Sequence, residues 1–236
     1  MSKSELKLPE QVSLLRFDDP EQLCDALAER IGTVIRTATA DHEQASIALS
    51  GGRTPVPLFE RLSRMALPWQ DTLVTLADDR WVATEEADSN EGLLKRHLLH
   101  GHAAAARFIG LWLPQGNAHQ MEEACAERLA QLPDQLDLVV LGMGNDGHTA
   151  SLFPCSEDLG RALETDRSCC AVTPTSAPHE RMTLSAARLL ASRERILHLK
   201  GEDKLETLQQ VLAGDDIREM PIRLFLQRPL TIYWSR

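Results

Sequence analysis

The sequence predicts a layered α/β domain. Short apolar runs alternate with longer amphipathic stretches, and three of the apolar runs end in a polar or glycine-rich turn. The first amphipathic stretch, residues 20–40, carries Leu23, Leu27, Ile31, Val34 and Ile35 near helical spacing and is read as a helix. Residues 46–49 form a buried strand that runs into Ser50-Gly51-Gly52-Arg53-Thr54-Pro55, and residues 56–65 follow as a helix. Pro55 suits a first helical position because its fixed φ is already helical. A second strand, 72–77, ends at Asp78-Asp79-Arg80-Trp81. Ser89-Asn90-Glu91-Gly92 opens a helix to about residue 100, where Gly101 stops it. A strand at 108–111 and a helix at 120–132 come next. The third clear strand, 136–141, meets Gly142-Met143-Gly144-Asn145-Asp146-Gly147-His148. Strands at 171–172 and 182–184, a helix at 186–192, a strand at 195–199, a helix at 202–213 and a strand at 230–234 complete the series. The segment 153–181 is the least regular and is expected to form a small lobe or flap. With no repeat, low-complexity tract or linker, residues 1–236 are read as a single domain.

Composition narrows the function. The length of 236 residues suffices for a core without disulfides or metal, and 43% apolar with 4% aromatic content makes that core aliphatic. A net charge of −10 with no Lys/Arg block excludes a nucleic-acid footprint. Any anionic ligand must be held by a local cluster, since the whole molecule repels it. The five cysteines are odd in number and contain no C-x-x-C pair. They read as buried thiols of a reducing compartment, and the expected location is cytoplasmic. Residues 1–9 lack the apolar stretch of a signal peptide, and no apolar run reaches membrane-spanning length, so no membrane partner is expected.

The turns carry the chemistry. Two glycines after a strand let backbone approach a ligand, and the helix that follows aims its free N–H groups at the same spot. Ser50, Gly51, Gly52 and Thr54 therefore read as a phosphate cradle, although the same residues suit an ordinary β-to-α turn. The Walker spacing is absent. Ala48-Leu49-Ser50-Gly51-Gly52 also approximates a serine-esterase elbow, but the Asp and His of such a triad usually lie on separate loops, whereas Asp146 and His148 share one turn. Gly142 to Gly147 matches G-x-G-x-x-G. A dinucleotide site would need a long helix next, yet Pro154 interrupts, and Glu164 and Asp166 precede the next strand instead of ending it. His148 is a candidate proton carrier with Asp146 positioned to orient it, against a plain reading as a hydrogen-bonded turn histidine. Arg80 is a candidate phosphate fork or a surface ion pair, and Arg181 and Lys204 are further anion candidates. His97, His100 and His102 lack a convincing ligand set, so no metal is expected.

In order, these blocks resemble the glucosamine-6-phosphate isomerase/6-phosphogluconolactonase family. LDLVVLGMGNDGHTASLFP, from Leu136 to Pro154, is similar to the signature G-x-G-x-D-G-H-x-A-S-L-F-P. SGGRTP at Ser50, ADDRWV at Ala77, DSNEGLL at Asp88, HERMTLS at His179 and GEDK at Gly201 resemble the other blocks, and the resemblance spans about residues 46–213. Ser151-Leu152-Phe153-Pro154 stands where the deaminase branch has F-N-E-P, which favours the lactonase branch. The proline-rich stretch before E-R-[IM]-T is thinned to Ala177-Pro178-His179.

The resemblance implies a three-layer α-β-α fold with a mainly parallel sheet. It implies hydrolysis of 6-phospho-D-glucono-1,5-lactone, a step of the oxidative pentose phosphate pathway, without cofactor. His148 and Asp146 are then the catalytic pair and Gly142, Gly144 and Gly147 the oxyanion candidates. Ser50, Gly51, Gly52, Thr54, Arg80, Arg181 and Lys204 are the phosphate contacts. A monomer or weak homo-oligomer is expected. The alternatives are a glucosamine-6-phosphate deaminase-like enzyme and a non-catalytic phosphosugar sensor.

Overall fold

The computed structural model describes residues 6–236, so the signal-peptide reading of residues 1–9 lies partly outside the described residues. In chain order the elements are β1 (Val12–Phe17), α1 (Pro20–His42), β2 (Ala45–Leu49), α2 (Val56–Arg64), β3 (Thr72–Leu76), β4 (Asp78–Arg80) and α3 (Asn90–His97). They continue with β5 (Arg107–Ile109), α4 (Glu122–Leu129), β6 (Leu138–Leu141), α5 (Leu159–Glu164), β7 (Cys169–Val172), β8 (Arg181–Leu184) and α6 (Ala186–Leu190). The last four are β9 (Glu194–Lys200), α7 (Glu202–Leu212), α8 (Arg223–Leu226) and β10 (Leu230–Ser235).

A seven-stranded sheet has the order β1-β10-β9-β6-β2-β3-β5, and each of its pairings is parallel. Every residue of β2, β3 and β6 is buried, so helices cover both faces and the fold is the three-layer α-β-α arrangement. This explains why these strands read as continuous apolar runs. Helix α1 starts on Asp19, whose carboxylate accepts from the Glu21 N–H at 2.9 Å, with Pro20 at its first position. It buries Leu23, Leu27, Ile31 and Ile35, the stripe expected from their spacing.

The chain passes from β2 out to β3 and β5, then returns to the other side of β2 as β6. The order therefore reverses between β2 and β6, and a crevice opens beyond the carboxyl ends of strands at such a switch point. Both glycine turns leave strands there: Ser50 N–H donates to the Val140 carbonyl at 3.0 Å, tying the end of β2 to β6.

Three elements depart from the sequence expectation. Asp78-Asp79-Arg80 was expected to be a turn but forms β4, the first strand of a small antiparallel sheet ordered β4-β8-β7. Its residues are poor strand formers, and cross-strand pairing with β8 overrides that preference. The irregular segment 153–181 contains α5 and β7, so much of it is docked rather than loose. Strand β1 was not anticipated. It is an edge strand with a mixed burial pattern, and Leu15 is exposed on it. All five cysteines are free thiols, four of them buried.

Candidate active site

Beyond the switch point lies a cavity of about 230 Å³. The turns after β2 and β6, the end of β9 and the small antiparallel sheet supply its walls.

The turn after β6 is knitted together by its own hydrogen bonds. Gly144 N–H donates to the His148 carbonyl at 2.9 Å, Gly147 N–H to the Gly144 carbonyl at 3.1 Å, and Thr149 Oγ1 to the Gly142 carbonyl at 2.8 Å. A Cβ on Gly144 would stand 2.2 Å from the His148 ring and 2.5 Å from Asp146 Oδ1, so only glycine lets that pair lie across the backbone. His148 Nδ1 is 2.6 Å from Asp146 Oδ1, and the His148 N–H donates to the same oxygen at 3.2 Å. Burial alone would raise the Asp146 carboxyl. Its bonds to the His148 ring and backbone, with the ring's charge, outweigh that and hold it below its ordinary value of 3.8. An ionised Asp146 accepts the Nδ1 proton, which assigns the lone pair of the neutral ring to Nε2.

The ring is also clamped from its face. Phe153 stacks on it with centroids 4.1 Å apart and planes 28° apart, and the Arg181 guanidinium lies 5.5 Å from the Phe153 centroid. Of the three glycines expected to offer oxyanion contacts, Gly144 and Gly147 spend their N–H groups inside the turn. Gly142 lines the cavity, as Gly144 does.

The cavity wall is also cationic. Arg53, Arg80, Arg181, Lys200 and Lys204 line it, with Asp78 the one carboxylate among the lining residues. This is the local cluster an anion needs on a chain of net charge −10. Ser50, Gly51, Gly52 and Thr54 line the same cavity, at the start of α2, which has no side-chain cap. Lys204 reaches across to Asn145 Oδ1 in the other turn.

Arg80 and Arg181 are register partners across β4 and β8, and both guanidiniums enter the cavity. Arg80 Nη1 donates to the Asp88 carbonyl at 2.7 Å and to Asn90 Oδ1 at 3.1 Å, while Arg181 Nη2 donates to the Pro178 carbonyl at 3.2 Å. Both Nε atoms are buried without a hydrogen-bond partner among the described residues, as is Ser50 Oγ. Burial lowers the Arg181 guanidinium from its ordinary value, against the opposing charge of Asp78.

Asn90 organises this corner. Its side-chain amide donates to the Asp78 carbonyl at 2.9 Å, and its Oδ1 lies where a Cβ on Gly51 would be, 2.0 Å away, so the glycine turn packs directly on it. The Asp79 carboxylate beneath accepts from the N–H groups of Asn90 (2.7 Å), Arg80 (2.8 Å) and Glu91 (3.0 Å). Burial nevertheless pushes that carboxyl up to about 7. The flap is tied to the same corner, since His179 Nε2 lies 3.1 Å from Asp88 Oδ2 and Trp81 N–H donates to the Glu180 carbonyl at 2.7 Å.

The cavity thus brings together His148 and every residue named for phosphate contact, with Asp146 behind the histidine. No histidine is hydrogen-bonded to Ser50 Oγ, so the esterase elbow lacks its base. His97 pairs with Glu60 at 3.2 Å, and among the described residues no group of three or more His, Cys, Asp or Glu is placed to hold a metal ion. Sequence reasoning missed Asn90, Phe153, His198 and Lys200 as lining or supporting residues. Asn90 and Phe153 stood inside quoted motifs, DSNEGLL and SLFP, where they read as a helix start and as packing. Nothing in the sequence marked His198.

A parallel α/β sheet with a cationic cavity and a carboxylate-backed histidine at its switch point defines a protein built for a small anionic ligand. Residues 18–234 match the family model described as glucosamine-6-phosphate isomerases/6-phosphogluconolactonase. The chain is 45% identical over 236 residues to a 6-phosphogluconolactonase of Pseudomonas aeruginosa, covering 99% of each chain. It is 46% identical to one of Pseudomonas putida, covering 99% of this chain and 97% of the relative. The crystal structure of a 6-phosphogluconolactonase from Shewanella baltica superposes with a TM-score of 0.95 at 43% identity, over 97% of this chain and all of that one. The chain belongs to the glucosamine-6-phosphate isomerase/6-phosphogluconolactonase family.

Proposed function

We propose that this chain is an enzyme that hydrolyses 6-phospho-D-glucono-1,5-lactone to 6-phospho-D-gluconate in the oxidative pentose phosphate pathway. One observation carries the reading beyond the family. A histidine with its proton fixed on Nδ1 opens onto the same cavity as a cluster of under-used cationic donors.

His148 Nε2 takes a proton from water as the water oxygen attacks the lactone carbonyl carbon. The carbonyl π electrons move to oxygen, where the Gly142 backbone offers stabilisation. The tetrahedral intermediate then collapses, the bond from that carbon to the ring oxygen breaks, and the imidazolium returns its proton to the departing oxygen. Water is consumed and an open-chain acid forms, which ionises at neutral pH. Asp146 keeps the ring in one tautomer and one orientation. Ser50, Gly51, Gly52, Thr54, Arg80, Arg181 and Lys204 hold the phosphate, and that binding fixes the carbonyl against His148. The reading takes residues 1–236 as one domain acting in the cytoplasm, as a monomer or weak homo-oligomer, without cofactor.

The test is proton release on adding the lactone, measured above its spontaneous hydrolysis. The wild type is expected to accelerate release and His148→Asn to approach the background. A wild type that binds the lactone without acceleration is a sensor and ends the enzymatic reading.

A further inference from the structure

Among the described histidines only His198 is buried. His42, His97, His119, His148 and His179 each lie within hydrogen-bond distance of a partner side chain. His198 is 6% exposed, and neither ring nitrogen has a partner among the described residues; Nδ1 is buried outright. Burial, with Lys200 nearby, pushes it down to about 4, so the ring is neutral and carries one N–H and one lone pair. A buried polar group without a partner is rare enough to need an explanation.

The position supplies one. His198 lies near the carboxyl end of β9, two residues before Lys200, and both line the cavity together with Ser50 and Pro55 at the foot of α2. No hydrogen bond or ion pair is formed by the Lys200 ammonium among the described residues, and Ser50 Oγ is also unpartnered. The register of β9 against β6 puts His198 beside Gly142, and the cavity wall as a whole is rich in donors. The only acceptor-rich portion of a phosphosugar lactone dense enough to use them is the phosphoryl group.

We propose that His198 is a specificity-determining residue whose Nε2–H, on the ring edge away from the buried Nδ1, donates to the substrate phosphoryl group alongside Lys200. This rests on the reading that the Ser50–Pro55 end of the cavity takes phosphate. A neutral donor suits the position, because another fixed charge among Arg80, Arg181, Lys200 and Lys204 would add to their mutual repulsion before the anion arrives.

The experiment compares wild type, His198→Leu, His198→Asn and His198→Gln. It measures the Kd of inorganic phosphate by calorimetry, kcat and KM on phosphorylated and unphosphorylated lactone, and Tm. In His198→Leu, phosphate Kd and the KM of the phosphorylated lactone should rise about tenfold, and kcat/KM should fall several-fold more on the phosphorylated lactone than on the unphosphorylated one. Whichever of His198→Asn or His198→Gln places its amide where the ring N–H sits should recover most of that loss. Should His198→Leu not fold, His198→Met is read the same way. A raised Tm in His198→Leu with phosphate Kd unchanged would show a core histidine and overturn the proposal. A wild type that neither binds phosphate nor prefers the phosphorylated lactone removes the phosphate reading itself, and His198's role with it.

Discussion

The Gly142–His148 turn and the Ser50–Pro55 turn leave neighbouring parallel strands at the same edge of the sheet, yet they are finished differently. In the first, the polar groups that set the geometry are satisfied by the chain: His148 by Asp146, Gly144 by the His148 carbonyl, and the Gly142 carbonyl by Thr149. Around the second, Ser50 Oγ, Arg80 Nε and Arg181 Nε have no partners among the described residues, and neither has Nδ1 of His198, which stands on β9 beside the first turn. Five buried side-chain atoms lack partners among the described residues, and four of them belong to residues that line this one cavity, Arg188 being the exception. On the proposed mechanism the difference separates two tasks. A proton carrier must be positioned before substrate arrives, so its hydrogen bonds are made in advance. A recognition end gains specificity by leaving donors that a substrate without phosphate cannot satisfy.

Variants should therefore divide between kcat and KM according to the end they touch. The largest effect is expected at the histidine. His148→Asn removes the base but keeps a polar side chain, and kcat should fall about a hundredfold to ten-thousandfold while inorganic phosphate still binds. Near-normal turnover in steady-state assays would exclude His148 as the base.

Arg80 comes next. A buried charge-assisted contact contributes about 1.5–3 kcal/mol, so Arg80→Ala should lower kcat/KM on the phosphorylated lactone about tenfold to a hundredfold, mostly through KM. Arg80→Lys should recover part of this, since the charge returns without the planar fork. An equal loss on unphosphorylated lactone would mean that Arg80 serves the fold rather than the phosphate.

Phe153 tests the clamp. A stacked pair of this kind contributes about 0.5–1.5 kcal/mol, so Phe153→Leu should cost about threefold to tenfold in kcat, with phosphate affinity preserved. If KM rises while kcat holds, the ring supports Arg181 more than His148.

The smallest catalytic effect is expected beneath β4, where Asp79 should reveal itself through stability. Its folded value is raised from 3.8 to about 7, so the folded state holds a proton that the unfolded chain has released across that window. Stability from this group is full below pH 4 and is lost as pH rises through 7. At about 1.4 kcal/mol per unit the loss approaches about 4 kcal/mol. Asp79→Asn cannot titrate, so its stability relative to wild type should improve between pH 4 and 7 in urea titrations. A constant difference would show that the three backbone N–H bonds keep Asp79 ionised throughout.

Sequence reasoning reached the part of this design that backbone geometry imposes. Strands buried on both faces must be continuously apolar, and turns that approach a ligand or a neighbouring side chain need glycine, so β2, β3, β6 and the turns beyond β2 and β6 were legible from local pattern. Most of the named residues that line the cavity were legible because they sit on those turns or in motifs with ordered spacing. What stayed hidden depends on long-range pairing. Asp78-Asp79-Arg80 becomes a strand only because β8 arrives about a hundred residues later. Phe153 looks like packing until the His148 ring lies 4.1 Å from it. His198 resembles any residue of a buried strand, and its importance comes from what fails to contact it.

The most direct test of this division is a crossed measurement on two variants, His148→Asn and Arg80→Ala: the Kd of inorganic phosphate by calorimetry beside kcat on the phosphorylated lactone. His148→Asn should keep wild-type phosphate affinity and lose turnover at least a hundredfold. Arg80→Ala should lose phosphate affinity about tenfold or more and keep kcat near wild type at saturating substrate. If both variants lose affinity and turnover together, the two ends form a single cooperative unit, and the separation of proton transfer from phosphate recognition is contradicted.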